Sequence, residues 1–360
     1  VSVVLLLAGA TSASFAVGES PLAELTAALH AYTEPEHHPG AWRWARGLDE
    51  SLDSELRRRI RAWSPLWASY RARYLVPLHA AGDRTLTQEL ADIEALPQAR
   101  FAELTGYAIR GGNTGEPLDL VLTDPAQQKG LRATAELRST TRAELADRLL
   151  TSPTALRTDL IELLNSAADA LASDLAKARR LIKSRLPALR RALSADGPAQ
   201  ALTGLDASAA YLPDPPRVVF DKFHHGIVPV ATTRCLITPS VFGRPHLLVK
   251  HEQGFPAVIQ FPLLPEGSEQ PGHSTVHLRL EVLRDPQRQR IARAIAREPL
   301  TPTELARRSG MTVPQVSRHL ARLRDAGLVT VDHVGRRAYY QLNLEPVRRI
   351  GEDLLTALFR

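Results

Sequence analysis

One cysteine, Cys235, stands in a chain of 360 residues, which excludes an internal disulfide framework and any cysteine-based zinc site. Beside Leu236 and Ile237, Cys235 is expected to be a buried strand residue and not a reactive thiol. Lysine is also scarce, five against forty arginines, so the identity of any one arginine says little and only the distribution of charge is informative. No apolar run approaches the length of a membrane span. Val3 to Ala10 is far too short, and no Lys or Arg precedes Arg43 as a signal peptide would require. A strand is expected there instead, paired with Ser14 to Val17, in a cytoplasmic protein without membrane contact. There is no phosphate loop, dinucleotide fingerprint, nucleophile elbow or zincin motif. Gly111 to Gly115 is glycine-rich but lacks the following Lys, and a loop is expected. No enzyme activity, catalytic residue, cofactor or metal follows from these residues.

What the chain does contain is concentrated at its end. Thr301-Pro302-Thr303-Glu304 is a capping box with proline at the first helical position, and Ser309-Gly310 stops the helix it opens. Thr312-Val313-Pro314-Gln315 repeats the box, and Gly327 supplies the next left-handed stop. Two capped helices across a short glycine-containing turn are the sequence form of helix-turn-helix. On the second helix Val313, Val316, Leu320 and Leu323 are expected to form one buried stripe. Winding at ~100° per residue puts Pro314, Gln315, Arg318, Ala321 and Arg322 opposite, with Ser317 and His319 on the flanks. Gln suits adenine, Arg suits guanine, and Ser suits a base or a phosphate. Leu328 to Val331 and Arg337 to Leu342 read as strands about a turn at Asp332 to Gly335, a wing carrying Arg336 and Arg337 near its tip.

These segments together resemble the ArsR-type winged-helix family of bacterial transcription regulators. The likeness rests on Asp285 to Ile291, Leu300 to Ala306, Val316 to Leu320, Leu323 to Val329 and Gly335 to Leu342, about a fifth of the chain. It implies a homodimer with recognition helices in successive major grooves of a double-stranded DNA operator. It assigns Gln315, Ser317, Arg318 and His319 to DNA, and the residue chemistry adds Thr312, Arg322, Arg336 and Arg337. The metal-sensing pattern of that family is missing. Glu304 to Arg308 has no cysteine pair, and Leu344 to Arg360 has neither His nor Cys. A fainter likeness joins Ser20 to Leu25, Leu29-His30, Pro35 to Pro39 and Leu236 to Phe242 to an uncharacterised domain found before ArsR-type winged helices.

Charge supports the DNA reading independently. From Arg284 to Arg360 there are 15 Arg against 8 acidic residues, a net of +7 where the whole chain carries +6. Everything upstream therefore sums to about −1, and the positive charge sits where a polyanion partner is expected.

Upstream, the fold is expected to be α+β and mainly helical. Helices are anticipated at Ser20 onward, Glu50 to Trp63, Pro65 to Leu75, Leu86 to Tyr107 with a break at Pro97, Lys129 to Leu150, and from Ser152-Pro153. Asp206 to Arg217 reads as a linker or crossover, and Val218 to Phe220, Arg234 to Thr238, His246 to Lys250 and Ala257 to Phe261 as a small sheet. The organisation expected is 1–210 as a sensor or dimerisation region, 211–283 as a β-rich segment packed on it, and 284–360 as the winged helix-turn-helix. His224, His225, His246, His251, His273 and His277 are expected to be structural or surface residues, with a ligand or metal pocket as the alternative, and His37-His38 to cap or pack in a turn. Lys177 to Arg191 is a basic run best explained as a solvated helix face, with an auxiliary DNA contact as the alternative. Trp42, Trp44, Trp63, Trp67, Tyr70 and Tyr74 are expected in the core, with an aromatic ligand pocket as the alternative.

The reading is a sequence-specific DNA-binding repressor with a recognition helix near 313–326, a wing near 328–342, and an unknown effector possible. The apolar face Val347, Ile350, Leu354, Leu355 and Leu358 is expected to meet a partner helix. The alternatives are an enzyme or ligand-binding protein whose winged helix serves protein contacts, and a protein that binds DNA without sequence preference.

Overall fold

The computed structural model describes residues 2–68, 70–113, 116–206, 209–222, 225–263, 273–335 and 337–359. The chain divides into two compact units, Val1–Glu266 and Gly267–Phe359. The boundary expected at 283/284 is thereby corrected. The β-rich segment is part of the first unit, and the helix preceding residue 284 belongs to the second.

In the first unit α1 (Pro21–Thr33) begins where the Ser20 hydroxyl accepts the Ala23 N–H at 3.0 Å, with Pro21 at the first helical position. Every residue from Leu22 to Tyr32 is buried, as befits a helix apolar on nearly all faces. Its neighbours are α2 (Trp42–Ser51), α3 (Ser54–Trp63), α4 (Leu86–Glu94) and α5 (Gln98–Arg110). These are followed by α6 (Pro125–Arg138), α7 (Thr140–Thr151) and α8 (Pro153–Ala170). Trp63, Trp67 and Tyr74 enter this core, while Trp42 is exposed and Trp44 and Tyr70 are half-buried. The helix expected over Pro65 to Leu75 is absent; 3-10 turns stand at Ser64–Leu66 and Arg73–Leu75. The buried Arg73 guanidinium there donates to the carbonyls of Val76, Pro77 and Pro256, satisfying a segment whose backbone is not helical.

The next helices, α9 (Ala172–Ala195) and α10 (Gly197–Thr203), place Ile182, Leu186, Leu193 and Leu202 in a second core with the strands. One sheet runs β3 (Ala210–Pro213), β4 (Pro216–Asp221), β1 (Ser2–Leu6), β5 (Gly226–Pro229). The other runs β2 (Phe15–Val17), β6 (Cys235–Ser240), β8 (Ala257–Pro262), β7 (Leu248–Lys250). A short α11 (Val230–Thr233) stands between β5 and β6. Two expectations fail here. The Asp206 to Arg217 linker contains β3 and the start of β4, paired antiparallel with Pro213 opposite Pro216. The first strand does not pair with its neighbour: β1 lies between β4 and β5, and β2 joins β6 in the other sheet. Cys235 is fully buried, and burial pushes its thiol pKa up.

The second unit consists of α12 (His273–Arg284), α13 (Pro286–Ile295), α14 (Pro302–Ser309), α15 (Val313–Asp325), β9 (Val329–Val334), β10 (Arg337–Leu342) and α16 (Leu344–Phe359). Its core holds Ile291, Ile295, Leu305, Val316, Leu320, Leu323 and Leu328. Each such side chain contributes about 1.5–3 kcal/mol on burial. Arg279 on α12 reaches Asp353 on α16 at 3.0 Å and the Ala326 carbonyl at 3.3 Å. That tie explains why α12 belongs with the helix-turn-helix. Among the described residues no helix is long and apolar enough to cross a membrane.

Candidate nucleic-acid interface

Both capping boxes form. The Thr301 hydroxyl accepts the Glu304 N–H at 3.3 Å, and the Glu304 carboxylate accepts the Thr301 N–H at 2.7 Å. At α15 the Thr312 hydroxyl accepts the Gln315 N–H at 3.4 Å, and the Gln315 amide oxygen accepts the Thr312 N–H at 2.8 Å. Gly310 and Gly327 take left-handed φ values of +69° and +70°, the conformation that ends α14 and lets the chain leave α15 for the wing.

The orientation of α15 follows from what it buries. Val316, Leu320 and Leu323 are fully inside. The stripe is one residue shorter than expected, because Val313 at the helix start is 41% exposed. Opposite, Thr312, Gln315, Ser317, Arg318 and Arg322 are exposed, and His319 is half-buried. Gln315 is exposed, but its amide oxygen is engaged in the cap that the sequence predicts, so a bidentate contact to adenine requires giving up that bond. Ser317, Arg318 and Arg322 are under no such constraint.

Electrostatics favour the same face. The acidic residues of this unit are largely taken up elsewhere: Asp285 by Arg288, Glu298 by Arg308, Glu345 by Arg348, and Asp353 by Arg279 and Arg349. Among the described residues Arg318 and Arg322 take part in no ion pair, so their charge is left for a ligand.

The wing is longer than expected. Asp332, His333 and Val334 belong to β9 and not to the turn, and Arg337 pairs with Val334 in the antiparallel register. Gly335 follows β9 with φ +62°, and Arg336, expected near the tip, lies outside the described residues. Leu300 exchanges backbone hydrogen bonds with Tyr340 at 3.0 and 2.9 Å, adding a bridge on the inner edge of the ribbon. Arg337 is exposed at the start of β10.

The first unit contains two further features. The basic run on α9 is partly consumed at home: Arg179 forks onto the buried Glu19 at 2.7–3.1 Å, and Arg190 reaches the Val17 carbonyl and Asp83. Close by is a cavity of about 340 Å³ lined by Glu19, Ser20, Glu24, Leu86, Leu175 and Arg179 among others. Elsewhere in the unit His30, His38 and His246 bring ligand atoms within 4.8 Å of one another. Local sequence gave no signal for this trio. His38 and His246 are far apart in the chain, and only the i,i+4 spacing of His30 and Glu34 hints at a shared helix face.

The comparisons agree with this architecture. Residues 1–267 match the model of a family of unknown function (DUF5937), and residues 274–332 match that of a helix-turn-helix domain. Among curated proteins none matches the chain. The chain belongs to that family of unknown function, and it continues into a helix-turn-helix domain of DNA-binding regulators.

Proposed function

We propose that this protein is a homodimeric, sequence-specific transcriptional repressor that reads a duplex operator and catalyses no reaction. The observation that carries the reading is the two-sided chemistry of α15: Val316, Leu320 and Leu323 fix it to its unit while Ser317, Arg318 and Arg322 stand exposed. A helix so presented suits the major groove, with the wing arginine on the flanking backbone. Support for a dimer comes from α16, where Leu355 is 40% and Leu358 52% exposed. A two-fold pairing through them matches the paired half-sites such regulators read. Support for a sensor role of the first unit is its cavity, whose buried carboxylates beside leucines suit a small ligand with an apolar body and a polar group.

The test is selection of bound DNA from a genomic fragment pool by the full chain, followed by competition with unrelated duplex at fixed salt. A palindromic site preferred by a factor of ~10³ or more is expected. Equal affinity for all duplexes would identify a non-specific DNA-binding protein, and no retention of DNA would return the winged helix to protein contacts.

A further inference from the structure

The fold assembles imidazoles from three distant segments. His30 lies in the last turn of α1, His38 between the 3-10 turns Pro35–His37 and Pro39–Ala41, and His246 just before β7. The His30 and His38 ring centroids are 4.6 Å apart, those of His38 and His246 4.7 Å, and those of His30 and His246 5.5 Å. His30 and His38 are both buried.

The hydrogen bonds around the trio fix which nitrogens face inward. His38 Nδ1 lies 2.5 Å from the Arg244 carbonyl oxygen, which can only accept, so Nδ1 carries the hydrogen and Nε2 keeps its lone pair. His30 Nε2 lies 3.2 Å from the Glu34 carboxylate. With that carboxylate accepting, His30 Nε2 carries the hydrogen and Nδ1 the lone pair. These two lone-pair nitrogens, His30 Nδ1 and His38 Nε2, then face each other at 3.3 Å.

Two acceptors so close repel unless a cation lies between them. The spacing fits a metal. Two nitrogens bound at ~2.0–2.1 Å in a tetrahedron stand about 3.3 Å apart. The outer shell fits as well, since a carboxylate on one ligand and a backbone carbonyl on another is how metal-binding histidines are oriented.

The site is also rigidly built. The Arg244 carbonyl and His246 come from one loop, and that loop is held to α1 by Glu24. The Glu24 carboxylate accepts the Ser240 hydroxyl at 2.5 Å and the N–H groups of Val241 and Phe242 at 3.0 and 3.1 Å. A second grouping, His30, Glu34 and His37, is possible on distance alone. It would use the His30 nitrogen already donating to Glu34, and Glu34 and His37 are both 30% exposed. The trio, with His30 and His38 buried, is the better site.

We propose that His30, His38 and His246 bind one divalent transition-metal ion of the zinc class, with a fourth position left for water or a small ligand. Three imidazoles without thiolate or oxygen donors suit zinc, cobalt or nickel, and exclude calcium and magnesium. The inference does not depend on the DNA reading.

The experiment uses the full chain, stripped with chelator and titrated with cobalt(II) as the spectroscopic probe. One equivalent per chain with the strong d–d absorption of a four-coordinate site is expected. It should vanish in His38→Ala and His246→Ala and persist in His37→Ala, with circular dichroism reporting the fold of each. Should the alanine variants fail to fold, X-ray absorption on the cobalt-loaded unsubstituted protein decides, with three imidazole ligands required. No bound cobalt, fewer than three imidazoles, or loss in His37→Ala with retention in His246→Ala would overturn the assignment.

Discussion

The Gln315 amide oxygen accepts the Thr312 N–H at 2.8 Å, so the side chain best suited to adenine also caps its own helix. The two roles compete, and they can be separated. Gln315→Glu keeps the box while adding a negative charge toward the DNA. It should leave stability nearly unchanged and weaken DNA binding. Gln315→Ala loses the reciprocal bond and should cost roughly 0.5–1 kcal/mol of stability. Urea titration and gel shift on both variants check this; an undiminished affinity in Gln315→Glu would remove position 315 from the interface.

Much of this end of the molecule was legible because its determinants are local. Thr301, Glu304, Thr312 and Gln315 lie within one turn of their partners, and Gly310 and Gly327 act where they stand. Val313 was misjudged because periodicity alone cannot tell that the first helical position lies beyond the core. The pairings of β1 and β2, and the trio of His30, His38 and His246, depend on contacts across some two hundred residues. No pattern within a helix or strand encodes such contacts. The buried hydrogen bonds of Arg73 overrode a plausible helical pattern for the same reason.

Arg318 and Arg337 should fail differently. Arg318→Ala is expected to cost about 1–3 kcal/mol of operator affinity and to relax preference at one base pair. Arg337→Ala should weaken all duplexes alike and reduce the salt slope by about 1. Fluorescence anisotropy over a salt series distinguishes them, and an identical profile for both would contradict the assignment of helix to bases and wing to backbone.

Association through α16 is tested by Leu355→Glu with Leu358→Glu. Both positions are exposed within their unit, so the fold should survive while a dimer dissociates. Sedimentation velocity showing an unchanged dimer would place the interface elsewhere.

Arg279 and Asp353 form a largely buried pair, with side chains 15% and 6% exposed. Asp353→Ala strands Arg279 and should destabilise the second unit by about 3–5 kcal/mol. The double change to leucine and methionine should recover much of that loss. Equal melting of the single variant and the parent would show the pair to be dispensable.

Glu89 ties α4 to α1, accepting the Ser20 hydroxyl at 2.7 Å and the Leu22 N–H at 2.8 Å. Burial raises its pKa to about 7, against which its hydrogen bonds act only partly. The folded state therefore holds this proton more tightly than the unfolded chain. Its favourable contribution is present below the unfolded value of 4.5 and is lost as pH rises through about 7. The loss is on the order of 3 kcal/mol at most. Glu89→Gln should flatten that part of the profile and melt later than the parent at pH ~8. An unaltered slope between the two proteins would show that the carboxylate is not the source.

Ala16 pairs with Leu236, and β6 in turn with β8, which ends at Pro262. A nascent chain therefore carries its opening strands out of the ribosome long before their partners exist. Until residues 216–240 have been released, those strand edges have no native partner and must be kept from pairing with other chains. The strand pairings of the winged helix lie within 300–342, so that end closes quickly once made. Synthesis of this protein is most vulnerable in its middle, and a ribosome stalled there leaves an adhesive fragment with no means of reading DNA.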